Sequence, residues 1–197
     1  MIQAKTFPEL AVLTLRNPSE AAQIVLGWNL SKEALWTAIA FVSVIVTILS
    51  TLSNILFPVP APLNALVGNP IMYFVVAAGG FVATVHAVFW TGRMLGGQGK
   101  LEDLMTLLLW VQALRAVAQL GVLLLLLFAP VLASFFVLFV GVATLWIFVH
   151  FISIGLHLNS LWRATVVLFV GALALVVGLS FLLSLIGVSA MGVPLNV

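Results

Sequence analysis

Cysteine is absent from this 197-residue chain, which excludes disulfides, thiolate metal ligation and thiol catalysis. Charge is nearly as scarce. Lys, Arg, Asp and Glu together make up 6% of the residues, against about 25% in a soluble domain. The net charge is +2, from seven basic and five acidic residues. No basic stripe follows one face, as a nucleic-acid backbone would require, so nucleic acid is not an expected partner. No internal repeat is visible either, and the inverted-repeat signature of many transporters is missing. No basic region followed by an apolar core of about 7 to 15 residues opens the chain, so a cleaved signal peptide is not expected. What is present is hydrocarbon: 64% of the residues are hydrophobic and the mean hydropathy is +1.33. The solvent is lipid.

The expected fold class is all-α: a polytopic membrane bundle of five transmembrane helices preceded by short amphipathic helices. Residues 1–33 form the amphipathic lead-in and 34–197 the transmembrane domain. Thr6-Phe7-Pro8-Glu9 and Asn17-Pro18-Ser19-Glu20 each place a cap three residues before a glutamate, with proline in the first turn. Ser31 caps the helix that follows. Phe7, Leu10 and Leu13, then Ala21, Ile24, Val25 and Trp28, recur at helical spacing, so one face can lie at the headgroups or pack under the bundle. Spans are expected at about 34–56, 70–92, 103–128, 131–156 and 163–187. The alternating prolines of Phe57-Pro58-Val59-Pro60-Ala61-Pro62 break the chain after the first. Ala129-Pro130 alone separates spans three and four, which predicts an antiparallel hairpin. Small-residue faces, Gly79-Ala83-Ala87 and Ala174-Gly178, suit close helix packing or contact between copies.

Orientation follows from the basic residues. Lys5, Arg16 and Lys32 precede span one, Arg93 and Lys100 lie between spans two and three, and Arg163 lies between spans four and five. Segments 57–69, 129–130 and 188–197 contain neither Lys nor Arg. The positive-inside rule then predicts a cytoplasmic N-terminus and a C-terminus on the far side.

The seventh basic residue is Arg115, about 18 Å along span three and so near mid-membrane. Gln112, Arg115 and Gln119 share one helical face. His86 on span two and His150 on span four fall at similar depth, and His157 follows His150 by one heptad. Two readings stand. These six residues line a cytoplasm-facing polar cavity for an anion, a lipid headgroup or protons. Alternatively they form a structural network in which Arg115 snorkels and the histidines satisfy helix carbonyls. No acidic residue lies within a span to neutralise Arg115. Three histidines without a nearby carboxylate or thiolate do not make a metal site, and no cofactor is expected.

The cytoplasmic loop Arg93-Met94-Leu95-Gly96-Gly97-Gln98-Gly99-Lys100 fails as a phosphate-binding loop, because Met94 and Leu101 stand where glycine and a hydroxyl residue are needed. It reads as a flexible turn, with Glu102 and Asp103 suiting the following helix dipole. No GxSxG, HExxH or paired intramembrane carboxylates appear, so no catalytic residues are expected.

Asn17-Pro18 after an opening helix, five spans, and Gly96-Gly97-Gln98-Gly99 running into Leu101-Glu102-Asp103-Leu104 together resemble bacterial members of the Yip family over nearly the whole chain. The resemblance implies a nonenzymatic polytopic protein of membrane organisation, trafficking-like or lipid-related processes, sited in a bacterial inner membrane with its C-terminus periplasmic. It implies no catalytic residues. The functional expectation is an interaction, scaffold or membrane-organisation factor, with lipid, another membrane protein or a second copy of the chain as partner. The alternative is a small transporter, channel or lipid-binding protein built around Arg115.

Overall fold

The computed structural model describes residues 6–60, 64 and 67–185. Lys5, Pro62 and segment 188–197, used above for orientation and chain breaks, lie outside the described residues. The described chain forms seven helices and no strand: α1 (Phe7–Arg16), α2 (Pro18–Leu26), α3 (Lys32–Leu56), α4 (Pro70–Met94), α5 (Leu101–Phe128), α6 (Pro130–Gly155) and α7 (Leu161–Leu185). The last five are each long and apolar enough to cross a membrane.

The capping residues act as their chemistry dictates. The Thr6 amide donates to Glu9 Oε2 at 3.0 Å, Asn17 Oδ1 accepts from the Glu20 amide at 3.3 Å, and Ser31 Oγ accepts from the Ala34 amide at 3.2 Å. Asn69 Oδ1 caps α4 through the Met72 amide at 3.1 Å. Pro18, Pro70 and Pro130 open their helices, where the missing N–H leaves no bond unmade. Asn17 closes α1 and caps α2 at once. Asn17→Ala is therefore expected to lower thermal stability in detergent by about 1 kcal/mol; an unchanged melting temperature would mean that the cap does not hold the joint.

α3 packs on α4 and α5, α4 on α7, α7 on α6, and α6 on α5, so the long helices close a ring in the order α3, α4, α7, α6, α5. The α5–α6 hairpin turns at Ala129 as expected. The Lys32–Glu102 ion pair, 3.2 Å, ties the starts of α3 and α5, and the amide of Gln98 bonds the Leu156 carbonyl beyond α6. These contacts define one end of the bundle, the basic end, which also carries Arg93, Lys100 and Arg163. One core runs through the ring from Leu35 and Ile39 to Leu104, Leu108, Ile152 and Val167.

The lead-in does not stand apart from this bundle. Leu10, Ala21, Ala22 and Val25 form a second core with Leu107, Trp110, Val111, Ile147 and Phe151. α1 lies across Trp110 with Leu10 and Thr14 buried, Glu9 and Arg16 exposed on one edge, and Ala11 and Leu15 toward α5 and α6 on the other. A helix with one buried and one charged edge is of the kind that lies at a headgroup boundary. All six tryptophans, Trp28, Trp36, Trp90, Trp110, Trp146 and Trp162, lie toward the basic end, as an interfacial belt would.

Arg115 follows Trp110 by about 7.5 Å along α5 and borders the groove that Ala11 and Leu15 of α1 also line. The small-residue faces differ from expectation. A Cβ at Gly79 or Gly178 would meet nothing within 4 Å, and Ala83 and Ala174 are exposed, so these faces do not make the close contacts of the bundle. Gly171 does, against Val88 of α4 at 3.4 Å.

Candidate functional site

The polar face of α5 survives folding. Gln112, Arg115 and Gln119 line one cavity of about 410 Å³ inside the ring, with Tyr73 of α4 and Val46 of α3 on the facing walls. A smaller space of about 180 Å³ shares Ala77, Gln112 and Arg115 and adds Thr84 and Phe148 toward the basic end. On the outer side, between α1, α5 and α6, Arg115 also borders an apolar groove of about 380 Å³.

Gln119 Nε2 donates to Ser50 Oγ of α3 at 3.2 Å. Ser50 belongs to a stripe, Ser43, Thr47 and Ser50, that is buried on α3. Its i, i+4, i+7 spacing is visible in the sequence as a hydroxyl face on the first span. Small hydroxyl residues let helices approach closely and bond across the gap. Thr47 also returns its hydroxyl to the Ser43 carbonyl at 2.8 Å.

Arg115 itself makes no hydrogen bond and no ion pair among the described residues. All five acids of the chain lie elsewhere: Glu9, Glu20, Glu33, Glu102 and Asp103, on the lead-in or at the starts of α3 and α5. The cavity walls offer only neutral dipoles. Arg115 itself is exposed, so its guanidinium is open to whatever surrounds the bundle.

The histidines part from the arginine. His86 and His150 line neither the cavity nor the groove around Arg115. The Nδ1–H of each bonds its own helix four residues back, His86 to the Val82 carbonyl at 2.8 Å and His150 to the Trp146 carbonyl at 2.9 Å. The His150 ring also lies 4.1 Å from the Trp146 ring, tilted by 54°. The expected meeting of His86, Gln112 and His150 does not occur, because equal depth on different helices does not fix the same facing direction. His157 is not one heptad along the same helix. α6 ends at Gly155, and His157 is an exposed turn residue with φ of 52°, a left-handed position that stops the helix. Among the described residues, no three His, Asp or Glu side chains gather as metal ligands.

The loop between α4 and α5 is pinned rather than flexible. Its Gln98 and Gly99 amides both donate to the Leu156 carbonyl, at 2.9 and 3.4 Å, satisfying an acceptor that the end of α6 leaves open. Gly97 turns back to the Gly92 carbonyl at 2.8 Å. Gly97 and Gly99 are buried, Gly96 holds φ of 89°, and Leu156 is fully enclosed against Gly92 and Gly97. Arg93 reaches the Gly97 carbonyl at 3.4 Å and lies 5.6 Å from the Phe89 ring centre. Lys100 is exposed at the start of α5. The glycines are therefore a joint between two loops, which no phosphate-binding motif test would disclose.

A ring of five apolar helices, with a short helical hairpin fastened at one end, defines a multi-pass α-helical membrane protein. The family model of the Yip1 domain matches residues 12–182, from within α1 to near the end of α7. The chain belongs to the Yip family. No curated protein and no solved structure matches it.

Proposed function

We propose that the chain is a nonenzymatic membrane-organisation protein whose basic end faces the cytoplasm of an inner membrane and serves as a platform for another membrane protein. The observation that carries this reading is the second core, in which α1 and α2 are fastened to α5 and α6 through Trp110. A lead-in kept only to start translocation has no need of its own core. The pinned glycine loop stiffens the same end, while Val12 and Trp28 leave apolar surface unused there. The excess of Lys and Arg at this end supports the orientation.

Photo-crosslinkers at the exposed Gln23 and Gln98 test the platform in native membranes. They are expected to give adducts of defined mass, with another protein or a second copy, whereas the same probe at the lipid-facing Leu138 gives none. Equal, diffuse labelling from all three positions would sink the proposal.

The unpaired Arg115 favours a second reading, a small transporter, channel or lipid-binding protein that uses the cavity around Gln112 and Gln119. The two readings are compatible in one molecule, since platform and cavity occupy different faces of α5.

A further inference from the structure

We infer that Arg115 holds the anionic head of a lipid-like amphiphile whose acyl chain lies in the outer groove between α5 and α6, beneath α1. The inference rests on the second reading above and adds the ligand class and the place of its chain.

Two spaces of opposite character meet at one cation. Inside the ring, Tyr73, Gln112 and Gln119 give the cavity polar walls. Outside, every residue lining the groove is apolar except Arg115 and Thr144. Arg115, Ala118 and Val140 border both. A small water-soluble anion uses only the first space, and a plain hydrocarbon gains nothing from the cation. A molecule with an anionic head joined to a chain uses both.

Charge and position agree with this assignment. The chain supplies no acid to Arg115, so the guanidinium is free to take a carboxylate or phosphate in two-pronged hydrogen bonding. Arg115 borders the groove beside Ala11 and Leu15 of α1, an amphipathic helix of the kind that lies at headgroup level. From there the groove runs deeper past Ala118 and Gly121 of α5 toward Phe136 of α6. A Cβ at Gly121 would stand 3.2 Å from the Phe136 ring, so Gly121 forms the groove's floor. Lipid tails are as apolar as the groove. The head therefore supplies the selectivity, and the groove supplies orientation.

The test is native mass spectrometry of the full chain released from phosphatidylcholine nanodiscs doped with either phosphatidylglycerol or oleate. The wild type is expected to retain the anionic additive in preference to phosphatidylcholine, and the additive retained distinguishes a phosphate head from a carboxylate. Arg115→Gln is expected to lose about tenfold or more in retention, the scale of losing charge-assisted bonds, with Arg115→Lys between. Val117 is 53% exposed and lines the groove but not the inner cavity, so Val117→Phe narrows the groove and leaves the cation, and is expected to lose a comparable factor. Retention unchanged in Val117→Phe but lost in Arg115→Gln overturns the acyl-chain assignment while leaving the cavity reading intact. Equal retention by the wild type and Arg115→Gln overturns both. If Arg115→Gln does not fold, Val117→Phe alone decides whether the chain lies in the groove.

Discussion

Gly99→Ala is expected to be the most damaging small substitution in the protein, costing about 3 kcal/mol or more, the upper end for overpacking. The added Cβ would collide with the Gly155 carbonyl oxygen and would lie 2.7 and 2.8 Å from the Gly155 carbonyl carbon and the Leu156 Cα. All three are backbone atoms at the end of a helix, so no rotamer change relieves the contact. Relief requires the two loops to separate, which breaks the Gln98 and Gly99 bonds to Leu156 and strands their amides. The other glycines set a scale around this value. Gly97→Ala meets the Gly92 carbonyl at 2.8 Å and is expected to follow closely. Gly96→Ala has open space but a φ of 89°, so only the left-handed backbone cost of roughly 1 to 2 kcal/mol applies. Gly79→Ala, in open space on α4, is expected to be neutral or slightly stabilising because alanine is the better helix former. Thermal unfolding of the four variants in one detergent measures the order. A flat series would mean that the loop is the flexible turn its composition suggests.

The spans were legible because a bilayer imposes a length and an apolar composition, and both are local properties of a sequence. The helices fall within two residues of the expected spans at each described boundary, and the caps at Thr6, Asn17 and Ser31 act as expected. Facing direction was legible only along a single helix. Gln112, Arg115 and Gln119 share a wall because they share α5, whereas grouping them with His86 and His150 required the relative rotation of three helices. That rotation is set by packing such as Gly171 on Val88, which hydropathy does not encode. His157 was misplaced for another reason: the apolar run passes through Leu156 and Leu158, while the helix stops at Gly155. The docking of the lead-in was not legible either, because it rests on a contact across 96 positions of sequence between Trp110 and Thr14.

Removing that contact is expected to have the other large effect. Trp110 is 6% exposed, with Phe7 and Trp28 set edge-on at 5.0 and 5.5 Å, and its Nε1–H donates to Thr14 Oγ1 at 3.0 Å. Thr14 in turn donates to the Leu10 carbonyl at 2.7 Å, so its hydroxyl is satisfied in both directions within a buried site. Trp110→Ala removes the indole from the centre of the second core and is expected to cost about 3 to 5 kcal/mol. That loss should fall on the hairpin before the ring, because the ring has its own core. The absence of native cysteine makes this measurable. Val25→Cys places one thiol at a fully buried position of α2, which should resist maleimide in the parent and label readily once Trp110→Ala is added. Thr14→Val separates the hydrogen bond from the ring. It leaves the indole N–H buried without an acceptor and is expected to cost about 1 to 3 kcal/mol. Combining it with Trp110→Phe, which deletes the donor, should recover part of that loss as a coupling of about 1 kcal/mol. If the thiol stays protected in Trp110→Ala, the hairpin is held by the lipid interface instead of its core, and the rigid platform proposed for the basic end loses its physical basis.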